Sequence, residues 1–150
     1  MILNSKEVFK KSLNDLQFGS SKDFLLHVSL IDLGLFNDIK PEKICEFILI
    51  SLKKKMIKKS TFYTLAPNYD YSEKKKKFNI KSKNISKDVG NFPKYLNSLK
   101  NSLRSNNPIF NLCGNGFNAS KIFKNCSSSA FGFDSAWHRL YERNCEMIFI

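Results

Sequence analysis

Apolar positions first recur at helical spacing. Ser5 can cap a helix, and Val8, Phe9, Ser12, Leu13 and Leu16 follow at intervals of three and four, so residues 6–16 are expected to form an amphipathic helix. Gly19, Ser20 and Ser21 end it. The period then changes. Asp23 to Ser29 is a short, nearly continuous apolar run behind turn residues, which suits a buried strand. Pro41 opens a second helix at its first turn. Ile44, Cys45, Ile48, Leu49 and Leu52 carry its apolar face, and lysines crowd its C-terminal end, where the helix dipole favours them. Thr61 to Ala66 reads as a second strand, stopped by Pro67. The order helix, strand, helix, strand predicts a parallel sheet with helices packed on it.

Beyond Pro67 the pattern is less regular. Residues 68–90 are polar, aromatic and Lys-rich and read as a long surface loop. Phe92 to Leu103 is expected to be helical in part, followed by a turn over Arg104 to Pro108 and a short apolar run, Ile109 to Cys113, punctuated by Gly114 and Gly116. Asn118 to Asn125 is expected to be a helix and Ser127 to Gly132 a loop; Asp134 can cap a helix over Ser135 to Arg143. Glu146 to Ile150 reads as a strand that closes on an apolar residue with no turn after it, so a fold cut short at its C-terminus is expected.

Composition narrows the function classes. The 150 residues suit one domain over 1–150, and 42% hydrophobic residues with 14 Phe supply a core. Lysine and arginine number 25 against 13 acidic residues, a formal charge of +12. Only Arg104, Arg139 and Arg143 are arginines; the lysines fall in runs, Lys53 to Lys55 and Lys74 to Lys77. Direct base readout favours Arg, Asn and Gln aimed at base edges. No recognition motif accompanies these runs, so no nucleic-acid partner is expected. Four cysteines without a CxxC pair and only two histidines argue against a zinc site or a disulfide scaffold. No metal is expected. The most apolar stretch, Phe24 to Phe36, is too short to span a bilayer, and no signal sequence is visible. A cytoplasmic protein without a membrane partner is expected.

Four patches then stand in a suggestive order. They are His27-Val28-Ser29-Leu30, Pro67-Asn68-Tyr69, Arg104-Ser105-Asn106-Asn107-Pro108-Ile109, and a stretch from Phe131-Gly132 through Ser135 to Leu140-Tyr141-Glu142; Ser86 to Gly90 adds a Ser-x-x-x-Gly spacing. In this order the chain resembles the N-terminal half of the aminoglycoside 3-N-acetyltransferase family, whose corresponding motifs read His-Ser-Ser-Leu, Pro-Thr-Phe, Arg-Ser-x-His-Pro and Gly-x-x-Ser-Pro-x-x-x-Leu. The chain departs from them at Val28, Asn68, Asn107 and Asn111. The resemblance places it nearer a sugar-modifying branch, which counts against an aminoglycoside antibiotic as the acceptor. It implies an α/β fold of three layers with a mixed or parallel central sheet, and acetyl-CoA as co-substrate for acetylation of an amino-sugar amine.

Acetyl transfer to an amine needs a base for the amine proton, donors for the tetrahedral oxyanion, and cations or amides for the coenzyme. His27 falls at a strand end, where α/β sheets place ligands. The resemblance implies that His27, Ser29, Arg104 and Ser105 contact the coenzyme. Arg104 and Ser105 precede Pro108 in a turn and are expected to face a cleft. Tyr69, Asp70 and Asn107 are the expected substrate contacts; Asn107 can orient a hydroxyl or amine but cannot act as a base. The catalytic base is not identified. Two readings stay open: an N-acetyltransferase, with a missing C-terminal half as its expected pairing partner, or a truncated, inactive remnant of one.

Overall fold

The computed structural model describes residues 5–34, 36–73, 77–82 and 84–150. Lys74, Lys75 and Lys76 of the second lysine run, and Lys83 of the loop over 68–90, lie outside the described residues. The elements in order are α1 (Ser5–Asp15), β1 (Asp23–His27), α2 (Ile44–Lys55, entered through a 3-10 turn at Pro41–Lys43), β2 (Thr61–Leu65), α3 (Asp70–Glu73), α4 (Asn91–Ser98), β3 (Leu103–Arg104), β4 (Leu112–Gly116), α5 (Ala119–Phe123), α6 (Ala136–Glu142) and β5 (Glu146–Phe149). The five strands form one sheet in the order β3-β4-β2-β1-β5. β1 pairs in parallel with both β2 and β5, while β4 runs antiparallel to β2 and to β3. The sheet is therefore mixed.

Side-chain alternation on the strands separates two cores. Phe24, Leu26, Phe62, Cys113 and Ile148 point to one face, where Phe9 and Leu13 of α1, Ile48, Leu49 and Leu52 of α2, and Phe92 and Leu96 of α4 cover them. Leu25, Tyr63 and Leu112 point to the other, beneath Ile122 and Phe123 of α5 and Ala136 and Leu140 of α6. Three layers result. Because β1 and β2 are covered on both faces, their residues are buried at consecutive positions, which is why these runs read as continuously apolar. Each fully buried aliphatic side chain of α2 contributes about 1.5–3 kcal/mol.

Four local expectations shift. The helix after Pro93 stops at Ser98, because Leu99 turns extended and the Ser102 hydroxyl binds the Leu96 carbonyl. Gly114 and Gly116 lie inside β4 rather than after it. A Cβ on Gly114 would stand 2.7 Å from the Tyr63 ring, so the strand needs a bare backbone there. The 68–90 loop contains the short helix α3. The cap of α6 is Ser135, whose hydroxyl accepts from the His138 amide at 3.1 Å; Asp134 instead takes φ 58°.

Candidate functional site

β1, β2 and β5 end together, and β4 begins beside the end of β2. The carboxyl ends of the parallel strands thus line up Phe149 and Ile150, His27 to Ser29, Ala66 to Asn68, and Asn111. Arg104 lies opposite Cys113 and joins the same end. In open α/β sheets this is where ligands bind, beside the strand from which connections leave in opposite directions. Here β1 lies between β2, which follows it through α2, and β5, which the chain reaches from β4 through α5 and α6 on the other face.

Two hollows open at this end. The smaller, about 450 Å³, is lined by His27, Val28, Ser29, Asp32, Phe149 and Ile150. The His27 ring stacks on Phe149 with centroids 5.3 Å apart. Ser29 is held by its backbone, donating to the Ile150 carbonyl at 2.7 Å, while its hydroxyl receives only a long contact from the Asp32 amide at 3.4 Å. That hydroxyl keeps its proton available for a ligand carbonyl. The larger hollow, about 790 Å³, lies between Asn68 to Asp70, Asn84 to Asp88, and Lys94, Asn97 and Ser98 of α4. Its volume suits a small ligand. Two of the sequence patches meet here: the Ser86 amide donates to the Pro67 carbonyl at 2.9 Å, and the Tyr69 amide to the Ser86 hydroxyl at 2.8 Å. Tyr69 and Asp70 do line a cavity.

Arg104 and Ser105 do not face a cleft. Both are buried. The Arg104 guanidinium donates to Asn111 Oδ1 (2.6 Å) and to the carbonyls of Ala66 (2.7 Å), Asn84 (2.8 Å) and Ser82 (2.9 Å). Four of its five N–H groups are thereby used. Burial pushes its acidity up, that is, its pKa below the ordinary guanidinium value. The Ser105 hydroxyl accepts from the Leu112 amide. The turn expectation failed because β3 pairs with β4 there and carries both residues inward. Asn107 caps its own turn: Oδ1 accepts from the Ile109 and Phe110 amides, and Nδ2 donates to the Ser128 carbonyl at 2.8 Å. It lines neither hollow. Phe131, from the fourth patch, packs on Phe110 and Trp137 with centroids 5.1 and 5.6 Å away, so the residue that follows the third patch touches the fourth.

The opposite end of the sheet holds a polar cluster that the sequence did not reveal. Asp23, with its side chain 2% exposed, accepts from Arg143 Nε (2.8 Å), Tyr63 Oη (3.0 Å) and Asn118 Nδ2 (3.1 Å). Its partners lie 40 to 120 residues away, so local spacing carries no signal of it. Burial first, then Asp23, pushes the Tyr63 hydroxyl well above the phenol range, and the same two causes push the Cys145 thiol up to about 12.

The family model described as aminoglycoside 3-N-acetyltransferase matches residues 58–150. No curated protein matches. Among solved structures, the chain is similar to AAC-IIIb in its binary complex with CoASH (TM-score 0.76, 18% identity, 96% of this chain and 58% of that one). It is similar to the aminoglycoside acetyltransferase AAC(3)-Xa (TM-score 0.77, 15% identity, 97% and 55%). It is also similar to the YokD protein from Bacillus subtilis (TM-score 0.74, 17% identity, 94% and 62%). The chain spans little more than half the length of these structures.

Proposed function

Because the chain belongs to the aminoglycoside 3-N-acetyltransferase family, we propose that it carries part of an acetyl-CoA-dependent N-acetyltransferase site acting on an amino sugar. One observation supports this best: the two hollows open side by side on the sheet's carboxyl end, one against Ser29 and His27, the other against Tyr69 and Asp70. In this reading the smaller hollow takes the thioester end of acetyl-CoA, with the Ser29 hydroxyl donating to the thioester carbonyl and His27 beside it. The larger takes the acceptor, with the Asp70 carboxylate attracting its ammonium groups. The amine nitrogen attacks the carbonyl carbon, the C–N bond forms, the C–S bond breaks with the electron pair leaving on sulfur, and the amine proton passes to a base. No described residue here is assigned as that base. Arg104 and Ser105 are assigned to holding the site rather than to the coenzyme, since their polar groups are spent inside the chain.

A second reading has its own support. The chain covers 58% and 55% of two of these solved structures, so more than two fifths of each has no counterpart in it. β5 is an edge strand: Ile150 N–H and C=O face β1, so the Met147 and Phe149 backbone groups point away from it. The side chains of both are exposed. Neither Pro nor Lys protects this edge. The chain then acts only when a further segment pairs with β5, or is an inactive remnant. Calorimetry with acetyl-CoA, paired with release of free thiol in the presence of an amino sugar, separates these. Binding that weakens at least tenfold in Ser29→Ala, with transfer, supports the enzyme. Binding without transfer supports incompleteness. Equal binding by parent and Ser29→Ala removes Ser29 from the site.

A further inference from the structure

The walls of the larger hollow come from distant parts of the chain, residues 68–70 after β2 and residues 84–88 before α4, with Lys94, Asn97 and Ser98 of α4 beside them, and no strand of the sheet pairs the first two segments. Direct bonds join them, from the Ser86 amide to the Pro67 carbonyl, from the Tyr69 amide to the Ser86 hydroxyl and from Asn68 Nδ2 to the Asn84 carbonyl, and Arg104 adds a side-chain bridge across the same two segments. One face of its fork reaches Ala66 O, the other Ser82 O and Asn84 O, while Nε is fixed by Asn111 Oδ1. Asn111 is itself locked, donating from Nδ2 to the carbonyls of Ser105 and Asn107 at 2.7 Å each. All four acceptors are neutral oxygens; no carboxylate stands among them. The side chain is used for its planar fork, which a lysine cannot reproduce. Arg104 lines neither hollow.

We propose that Arg104 is a positioning residue that sets the spacing between the two walls, and through Ala66 and Asn84 decides whether an amino-sugar ring fits between them. The inference rests on the acceptor reading of that hollow. It differs from a coenzyme contact in two ways. A phosphate contact tolerates Lys, because charge suffices there; a strap does not. A strap also affects the acceptor and leaves the coenzyme hollow beside β1 and β5 unchanged.

The test is hydrogen exchange and calorimetry on the full chain, with sisomicin and acetyl-CoA as probes. In Arg104→Lys, peptides covering 66–71 and 84–88 exchange at least tenfold faster while β1 and α6 keep their protection. Sisomicin binding weakens at least tenfold and acetyl-CoA binding stays within twofold. Unchanged exchange at both walls overturns the proposal, as does sisomicin bound equally well by loosened walls. Equal losses for both ligands also overturn it. Should Arg104→Lys fail to fold, Asn111→Ala, which frees Arg104 Nε, decides: faster exchange at 66–71 and 84–88 is expected, and unchanged exchange at both refutes the strap. A parent that binds no sisomicin removes an aminoglycoside from the hollow, and the exchange result still decides the strap.

Discussion

Asp23 gives the sharpest energetic prediction, because one buried carboxylate serves three partners of unequal exposure. In Asp23→Ala, Tyr63 Oη and Asn118 Nδ2 lose their acceptor inside the core, since both residues are buried. Leaving a buried donor unmade costs about 1–3 kcal/mol each. The Arg143 side chain is 38% exposed and can turn to water, so its loss adds little. The total of about 3–5 kcal/mol agrees with what breaking a buried pair costs in general. Asp23→Asn keeps an Oδ1 acceptor for Tyr63 but loses the charge and turns an NH2 donor toward Arg143 Nε and Asn118 Nδ2, so it is expected to cost about 1.5–3 kcal/mol. Tyr63→Phe removes a single donor and leaves the carboxylate its other partners, about 1 kcal/mol. Urea unfolding followed by fluorescence of Trp137 reads all three. With a slope of about 2 kcal/mol/M, Asp23→Ala should lower the midpoint by roughly 2 M. A loss under about 1 kcal/mol, or a Tyr63→Phe loss equal to that of Asp23→Ala, refutes the reasoning.

Three further outcomes are expected. The Cys145 thiol, held up at about 12 by burial and the Asp23 charge, should alkylate at pH 8 roughly a thousandfold more slowly than a free thiol. Its rate, followed at that residue by mass spectrometry, should keep climbing above pH 9; levelling there contradicts the assignment. A Cβ on Gly116, at φ 140°, would stand 2.6 Å from the Ser60 carbonyl oxygen and from Thr61 Cα, both rigid backbone. Gly116→Ala should therefore lower the melting temperature by roughly 4–8 °C, corresponding to about 2 kcal/mol, and an unchanged melt contradicts this. Asp134 is held below the usual carboxylate range by its hydrogen bond to Arg139. A lowered acid value stabilises above the unfolded value and is lost as pH falls through the folded one. The stability gap between parent and Asp134→Asn should thus be present at neutral pH and close in acid; a gap that widens in acid reverses the sign.

The elements α1, β1, α2 and β2 were legible because burial imposes a period on local sequence. Helix faces repeat near 3.6 residues, and a strand covered on both sides is apolar throughout. Less was legible after Pro67. Gly114 looked like an interruption, yet it is a strand residue under the Tyr63 ring, some 50 positions earlier in the chain. Of the candidate site residues, Tyr69 and Asp70 line one cavity, and His27 and Ser29 another. Asn107 lines neither, because its side-chain amide satisfies its own turn.

The three arginines show the division most plainly. Their scarcity among 25 basic residues is a fact of sequence. Their use is not. Arg104 ties four acceptors across the pocket walls; Arg139 holds Asp134 and the carbonyls that end α5; Arg143 closes on Asp23. The sequence by itself determined the layered α/β class, the order of its motifs and the lysine-rich surface, since each follows from local periodicity or composition. Only the tertiary structure decided that β4 turns antiparallel, that Arg104 points inward and that Asp23 is buried among partners up to 120 residues away. A side chain's role depends on the dielectric and the acceptors around it, and those are supplied by segments far away in the chain.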